Sequence, residues 1–424
     1  MKVLAFLIAC CVCFPQMVWA DVSDRQVETL GQEIQQLRQL VEQLQTTVQA
    51  QQQRIAELET ARPQPVTPAP TTTQASALQR QAVSSLSALN PEIGVLADVV
   101  GQLSERSADG EGNDKLSARE IELVFGHPID PYSRLDSTIT FSDFEEPSVE
   151  EAYITHWGLP GEIKARLGRL RPKIGKASAI HRDTLDTVDE PLVVARFLGA
   201  EGLSRTGLEL SGFLPTPWTA VVHELTTGVM EGGIGEGGTL FGSTRRRPSL
   251  YAHLKNFWDI SDTSNLELGA TYLVGSKDAD ASFEVNALGL DATLIHHLTP
   301  TNKLKWQNEV YLQDRDEAFS ITEDGTRTDF HNQPWGGYSL LDYRLSPRFG
   351  IGGRFDYVEP VDADPARVIR HADTAWGGYL TFYQSEFARW RLQVRHTNFA
   401  AGGDGNTVFL QGTVAIGVHK HQLQ

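Results

Sequence analysis

The feature that most constrains the fold is an alternation of apolar and polar residues with a period of two, which begins near Pro91 and continues almost to the C-terminus. In residues 303–313, for example, Leu304 and Trp306 alternate with Lys305 and Gln307. Successive side chains of a β-strand point to opposite faces, so this period indicates strands with one apolar and one charged face.

About sixteen such segments can be recognised, and each is close to the roughly 9–11 residues with which a tilted strand crosses a bilayer. Their approximate bounds are 91–103, 117–125, 133–142, 149–157, 163–171, 206–214, 218–227, 249–259, 265–275, 284–297, 303–313, 335–344, 349–358, 373–384, 390–398 and 406–418.

The connections between these segments alternate between short and mostly longer ones. Short connections are 126–132, 158–162, 215–217, 260–264, 298–302, 345–348 and 385–389, whereas long ones include 104–116, 172–205, 228–248, 314–334 and 359–372. This rhythm is typical of membrane barrels, which have tight turns on one side and long loops on the other. The pattern therefore predicts an all-β protein, a transmembrane antiparallel β-barrel of about 16 strands over residues 91–424.

A soluble β-sandwich or β-helix would show the same alternation, with the apolar face as its core. Three features favour the barrel: an export signal, the alternating connections, and aromatic residues near strand ends, where membrane barrels carry aromatic girdles. The tryptophans concerned are Trp157, Trp218, Trp258, Trp335, Trp376 and Trp390.

Residues 1–20 have the composition of a secretory signal peptide. Lys2 is followed by an apolar run from Val3 to Phe14, and Val18 and Ala20 are small residues at the positions that a signal peptidase reads. Cleavage at Cys10, as in a lipoprotein, is the alternative. All 3 cysteines lie within this signal, so the mature chain is expected to form no disulfide. The net charge of −17 argues against a nucleic-acid partner.

Residues 21–60 carry a heptad repeat that predicts a coiled coil, because apolar residues recur at alternating spacings of three and four. Gln51 is the one polar interruption, and a lone amphipathic helix is the alternative interpretation. The oligomerisation positions are Val27, Leu30, Ile34, Leu37, Val41, Leu44, Val48, Ile55 and Leu58. Residues 61–90 follow as a Pro-rich linker and lead-in. An even number of strands returns both ends of the barrel to the turn side, so the rod is expected in the periplasm.

This order of exported coiled coil, linker and sixteen-stranded barrel resembles the phosphate-selective porin superfamily, and its N-terminal rod is similar to that of sucrose-type porins. The resemblance implies an outer-membrane porin, surrounded by lipid and lipopolysaccharide, through which small hydrophilic solutes or ions diffuse passively. It also implies a homotrimer, whereas peptide rules for the heptads favour two strands. The sequence departs from porins at its end, where Gln424 replaces the usual aromatic residue.

In trimeric porins the third external loop folds into the lumen, and here the third external connection, 172–205, is the longest. We therefore expect it to form the pore constriction; a loop packed externally, or latching a neighbouring subunit, is the alternative. The expected constriction residues are His181, Arg182, Asp183, Asp186, Asp189 and Glu190.

Charged residues on the polar faces of the strands are expected to line the pore lumen and to set its ion selectivity. Salt bridges within the wall are an equally open interpretation. The lumen residues are Lys164, Arg166, Glu209, Glu267, Glu309, Arg354, Arg391 and Arg395. Their mixed signs argue against phosphate selectivity.

Two further functions remain as alternatives at this stage. The rod could bind peptidoglycan, making the protein a structural anchor that tethers the envelope. The protein could instead be a divalent-metal uptake channel, although His181, Asp183 and Asp186 have no recognised ligand spacing, so no metal site and no cofactor are predicted. No nucleophile motif is present, and the chain is not expected to be an enzyme.

Overall fold

The computed structural model describes residues 91–105, 115–143, 146–216, 220–231, 247–276, 283–320, 327–361 and 371–417. The predicted signal peptide (1–20), coiled coil (21–60) and linker (61–90) lie outside the described residues, as does the C-terminal tail from 418. None of the described helices is long and apolar enough to span a membrane.

The described part of the chain is almost entirely β-structure. Its strands are β1 (Glu92–Ser104), β2 (Lys115–Asp130), β3 (Ser133–Phe141), β4 (Ser148–His156), β5 (Lys164–Leu170), β6 (Arg205–Phe213), β7 (Val221–Met230), β8 (Ser249–Ser261), β9 (Ser264–Ser276), β10 (Glu284–His297), β11 (Lys303–Ser320), β12 (Arg327–Asn332), β13 (Trp335–Ser346), β14 (Phe349–Val358), β15 (Asp373–Ser385), β16 (Ala388–Asn398) and β17 (Asp404–Gly417).

These strands form one closed antiparallel barrel. Apart from β12 and β13, each strand pairs with its sequence neighbours, and β1 pairs with β17 from Gly94↔Gly417 to Ser104↔Thr407. β12 and β13 both pair with β11 and make up a single crossing, so the barrel has 16 strands. The predicted fold class is confirmed.

The predicted strand bounds agree closely where the alternation is uninterrupted, as in β10 and β14. Two predicted connections are wrong. β2 continues to Asp130 with a register shift after Pro128, which fits the confinement of proline to bulges and edges. The expected loop 314–334 is largely a hairpin of β11 and β12, in which pairing resumes beyond Pro334 from Arg315↔Asn332 to Ser320↔Arg327.

The barrel exposes apolar side chains and buries polar ones, which is the reverse of a water-soluble protein. On β16, Trp390, Leu392 and Val394 are each about half exposed on the outer face, whereas Arg391 and Gln393 between them are buried. The same arrangement recurs around the barrel. An exposed apolar belt around a buried polar interior is the pattern of a barrel whose outside faces lipid.

The two rims of the barrel differ. We call the rim with short connections, such as the one between β2 and β3, the turn end. The opposite rim, where β5 and β6 are joined by residues 171–204, is the loop end.

Candidate functional site: the barrel lumen and its inner segment

Residues 171–204, which we call the inner segment, are folded into the barrel. Almost all of their side chains are buried or half-buried, and Arg196, Ala200 and Glu201 are the exposed ones. The inner segment bonds to the inward faces of strands on all sides, including β2, β4, β6, β9, β11, β14 and β16. A connection that starts at the rim and contacts the whole inner circumference must cross the lumen. The predicted bounds of 172–205 differ by one residue, because Arg205 begins β6.

The inner segment enters the lumen along two buried glutamates of the wall. The backbone N–H of Lys173 donates to Glu209 (3.0 Å), and those of Lys176 and Ala177 donate to the two carboxylate oxygens of Glu309 (3.2 Å each). Gly175 makes this approach possible, because its φ is +59° and a Cβ there would overlap Glu309. The two glutamates thus satisfy the backbone donors of a segment that has no ladder of its own.

A second part of the inner segment is held by apolar packing. After Pro191 the chain forms one short helical turn, Val194–Leu198, which ends at Gly199, whose φ is +140°. Val193, Val194, Phe197 and Leu198 are completely buried. They belong to one apolar cluster with inward residues of the wall, among them Tyr251, Leu273, Tyr311, Tyr338 and Tyr379.

A third part is held by charges. Asp189 is bound by Arg354 (2.9 Å) and by Arg395. Although burial raises the pKa of Asp189, these two guanidinium groups outweigh it and hold that pKa below its usual range. Asp186 pairs with Lys305 of β11.

Wall arginines also bind backbone carbonyls of this part. Arg391 donates to the carbonyl of Leu185 (2.9 Å) and Arg389 donates to that of Asp183. Arg119, from β2 three strands further round the barrel, donates to the carbonyl of Val188 (2.5 Å). Five-donor guanidinium groups suit this role, because they can satisfy several buried acceptors at once.

His181 lies in a buried acidic cluster. Its Nε2 is 3.0 Å from Glu151, and its Nδ1 is 3.3 Å from Glu150 and 3.4 Å from Glu122. Burial alone would lower the pKa of His181, but the neighbouring carboxylates outweigh it and raise the pKa well above its ordinary value.

The structure places all six expected constriction residues inside the barrel, but it does not bring them together. His181 contacts β2 and β4, and Asp186 and Asp189 contact β11, β14 and β16. Arg182 pairs with Glu201 (2.7 Å), which is also in the inner segment. Asp183 and Glu190 are buried.

All eight expected lumen residues lie on inward faces, and most of them have partners. Arg166 pairs with Glu209 (2.7 Å), Glu267 with Lys176, and Arg354 with Asp189 and Asp356. Much of the lumen charge is therefore paired, partly within the wall and partly between the wall and the inner segment.

Several lumen residues were missed by the sequence reasoning. Glu120, Glu122, Glu150 and Glu151 on β2 and β4, and Arg389 on β16, are all buried and face the inner segment. The alternation of β2 carried the signal for Glu120 and Glu122, since both occupy its polar positions. Glu150 was harder to predict, because a register shift in the β3–β4 ladder places it beside Glu151 on the inner side.

At the loop end the lumen contains a cavity of about 480 Å³. It lies between the inner segment and strands β1, β2, β16 and β17, and Lys115, Arg119 and Arg395 contribute to its wall. Beside it, Val188 packs against Val100 and Phe409, so that the inner segment reaches the wall on this side too. The lumen is therefore narrowed at the level of Val188.

Comparison with solved structures gives the same fold. OmpF of Salmonella typhi, solved in complex with daunomycin, superimposes with a TM-score of 0.53 at 9% identity, over 77% of this chain and 98% of that one. OprB of Pseudomonas putida, in its high-pH structure, gives a TM-score of 0.51 at 10% identity, over 79% of this chain and 97% of that one. At such identities the likeness concerns the fold: this chain has the barrel fold of outer-membrane porins.

Sequence comparison adds one relative without a described activity. An uncharacterised protein of Aquifex aeolicus (strain VF5) is 27% identical over 307 residues, which cover 67% of this chain. The matched region spans 64% of the length of that relative. No family model matches the sequence.

Proposed function

We propose that the protein is an outer-membrane porin through which small hydrophilic solutes or ions diffuse passively. One combined observation supports this proposal. The barrel has an apolar outer belt and a polar interior, and the inner segment narrows that interior but leaves a cavity beside it. The barrel fold shared with OmpF and OprB supports the outer membrane as its location.

The inner segment acts, in this proposal, as the pore constriction, with His181, Arg182, Asp183, Asp186, Asp189 and Glu190 as its charged residues. The eight lumen residues would then shape the field around it. Because acidic and basic groups are paired there, we expect weak ion selectivity rather than preference for phosphate. Membership of this protein in the phosphate-selective porin superfamily is part of the proposal.

The N-terminal region completes the proposed organisation. After removal of residues 1–20, the coiled coil of residues 21–60 would lie in the periplasm, connected by residues 61–90 to the barrel. We propose a homotrimer, since contact between barrels would bury more surface than one short zipper. A role of the rod in binding peptidoglycan is the second candidate function, favoured by its heptad pattern.

Reconstitution into a planar bilayer tests the channel. Stepwise conductance is expected from the full mature chain, and a membrane that stays sealed at micromolar protein would contradict the proposal. Deleting Ala179 to Ala200 should raise the conductance of each step; unchanged conductance in a correctly folded barrel would contradict the constriction.

Removing residues 21–76 separates the two candidate functions. A porin keeps its conductance after this deletion, whereas a tether loses envelope integrity. Native mass measurement of a Leu37→Asp and Leu44→Asp double variant then tests assembly: a persistent trimer supports barrel contacts, and a monomer would show that the rod sets the oligomeric state.

A further inference from the structure

The acidic cluster around His181 has more negative charge than its neighbours compensate. Glu120, Glu122, Glu150 and Glu151 are each at least 94% buried. The cations that contact them are Arg171, bound to Glu150, and His181 when protonated. Arg182 is engaged by Glu201. Buried carboxylates need a countercharge or a proton, so the cluster lacks about two positive charges.

Glu120 indicates where the missing positive charge would lie. The Oε2 atom of Glu120 is buried and has no hydrogen-bond partner among the described residues. Side-chain oxygens of Glu120, Glu122 and Glu150 lie within 4.8 Å of one another, and Glu122 is also within that distance of ligand atoms of His181 and Asp183. Glu122 therefore joins two overlapping groups of possible ligands.

The orientation of His181 is the one that a metal ligand needs. Its Nε2 faces Glu151 at 3.0 Å, while its Nδ1 faces Glu122 and Glu150. Histidines that bind metals usually donate their other ring N–H to a carboxylate, which fixes the tautomer and the ring. The tautomer with hydrogen on Nε2 leaves the lone pair of Nδ1 directed toward the two glutamates.

The distances also agree with coordination. Two ligands at about 2.0–2.1 Å from a tetrahedral ion are about 3.3 Å apart. The Nδ1 atom of His181 is 3.4 Å from Glu122 Oε1 and 3.3 Å from Glu150 Oε1. Imidazole combined with carboxylates favours a first-row transition ion over Ca²⁺ or Mg²⁺, which prefer oxygen alone.

We propose that this cluster binds one divalent transition-metal cation such as Zn²⁺, with His181, Glu122 and Asp183 as ligands, Glu120 and Glu150 beside them, and Glu151 as a positioning residue. Because His181 belongs to the inner segment and the glutamates to β2 and β4, the ion fastens that segment to the wall. This site is a fixed structural one, and it does not depend on the porin proposal or on any transport of metal.

Zn²⁺ binding to the full mature chain in detergent tests the site. After treatment with EDTA and its removal, equilibrium dialysis at pH 7.5 should load one tight equivalent that a hundredfold excess of Ca²⁺ does not displace. A Glu122→Gln and His181→Gln double variant should lose that equivalent. Glu151→Gln should keep the stoichiometry but weaken binding about 10–100-fold, as outer-shell partners do. His253→Gln is the matched control: it removes another buried inward histidine, bonded to Thr271, and should bind like the unmodified chain.

Two further measurements keep the test decisive. X-ray absorption of the Zn²⁺-loaded unmodified chain should show one imidazole nitrogen with carboxylate oxygens, and several imidazoles would instead indicate His419 and His421 and overturn the proposal.

Hydrogen exchange of residues 177–190 should slow at least tenfold with Zn²⁺ in the unmodified chain. No bound equivalent, equal binding by the double variant, or unchanged exchange would each overturn the proposal, and would leave His181 as a protonated member of an ion-pair cluster.

Discussion

Residues 191–203 and residues 181–190 of the inner segment lie in the same lumen, but different forces hold them. The first stretch, which we call the apolar part, buries Phe197, Leu198 and Leu203 against wall tyrosines and leucines. The second, which we call the ionic part, binds wall arginines and Lys305 through Asp186, Asp189 and backbone carbonyls.

The difference has consequences for how each part responds to change. Apolar burial is non-directional and contributes roughly 1.5–3 kcal/mol for each large side chain, so the apolar part anchors the segment without fixing it closely. Buried ion pairs are directional, and breaking one leaves an uncompensated charge. The ionic part should therefore fix the position of the inner segment, and its stability should depend on pH. The stability of the apolar part should depend on neither pH nor salt.

The largest effect is expected from placing a charge in the apolar part. Phe197→Asp removes a buried ring, which alone costs about 3–5 kcal/mol, and adds a buried unpaired carboxylate. The inner segment should leave the wall, so that trypsin cuts after Arg182 and Arg196 and conductance increases, while the barrel ladder stays intact. Ala200→Asp, which puts the same charge at an exposed position of the segment, is the control. Equal resistance to trypsin in both variants would show that the apolar part is not the anchor.

The next largest effect is expected in the ionic part. Arg354→Ala leaves Asp356 without its guanidinium partner and Asp189 with Arg395 alone, at a cost of about 3–5 kcal/mol. Hydrogen exchange of residues 185–190 should accelerate, while that of 193–198 should not. Arg344→Ala, which removes an arginine near the turn end that bonds to Pro347 O, provides the control. Acceleration in both parts alike would remove the distinction between them.

Glu190 should make the ionic part sensitive to pH. Burial, with a smaller contribution from Asp189, raises the pKa of Glu190 to about 7 despite Arg182, Arg171 and Arg354. Because this pKa lies above the unfolded value of about 4.3, the stabilisation is fully present below pH 4.3 and is lost as pH rises through 7, up to about 4 kcal/mol. Exchange protection of residues 185–190, corrected for intrinsic rates, should therefore be lower at pH 8 than at pH 5. Glu190→Gln should remove this difference, and a difference that persists would assign it to another group.

The smallest effect is expected at the pair of Lys305 and Asp186, whose side chains are 19% and 29% exposed. Partial solvent screening limits such a pair to about 1 kcal/mol. A double-mutant cycle of Lys305→Ala and Asp186→Asn, read by denaturation in urea, should give a coupling no larger than that. A coupling of several kcal/mol would mean that this pair belongs with the buried ones.

The fold could be predicted because each membrane-crossing strand shows its own alternation of apolar and polar residues in the sequence. In β10 and β14 the period of two is uninterrupted, and the predicted and observed bounds agree. The two wrong connections lie at prolines: β2 continues past Pro128 with a register shift, and pairing with β11 resumes beyond Pro334.

The lumen could be predicted only in part. Alternation assigns Arg354 and Arg391 to the polar face of their strands, and the barrel fold makes that face the inner one. It cannot say that Arg354 meets Asp189 or that His181 meets Glu122, because the inner segment has no period and its path depends on contacts between distant residues. The constriction residues, the coiled coil and the trimer remain predictions.

Because β1 pairs with β17, the first strand of the barrel cannot complete its hydrogen bonding until the last strand has been added. Asp98 accepts hydrogen bonds from Gln411 (2.8 Å) and Thr413 (2.7 Å), which are 313 and 315 residues away in the sequence. Contacts at such separation form slowly, since a long chain must be ordered before they can be made. Until β17 arrives, both edges of the sheet expose unpaired backbone groups that cannot remain in lipid. Barrel closure at Asp98 should thus be the last and slowest step of folding, and truncation before Asp404 should trap an open sheet that aggregates.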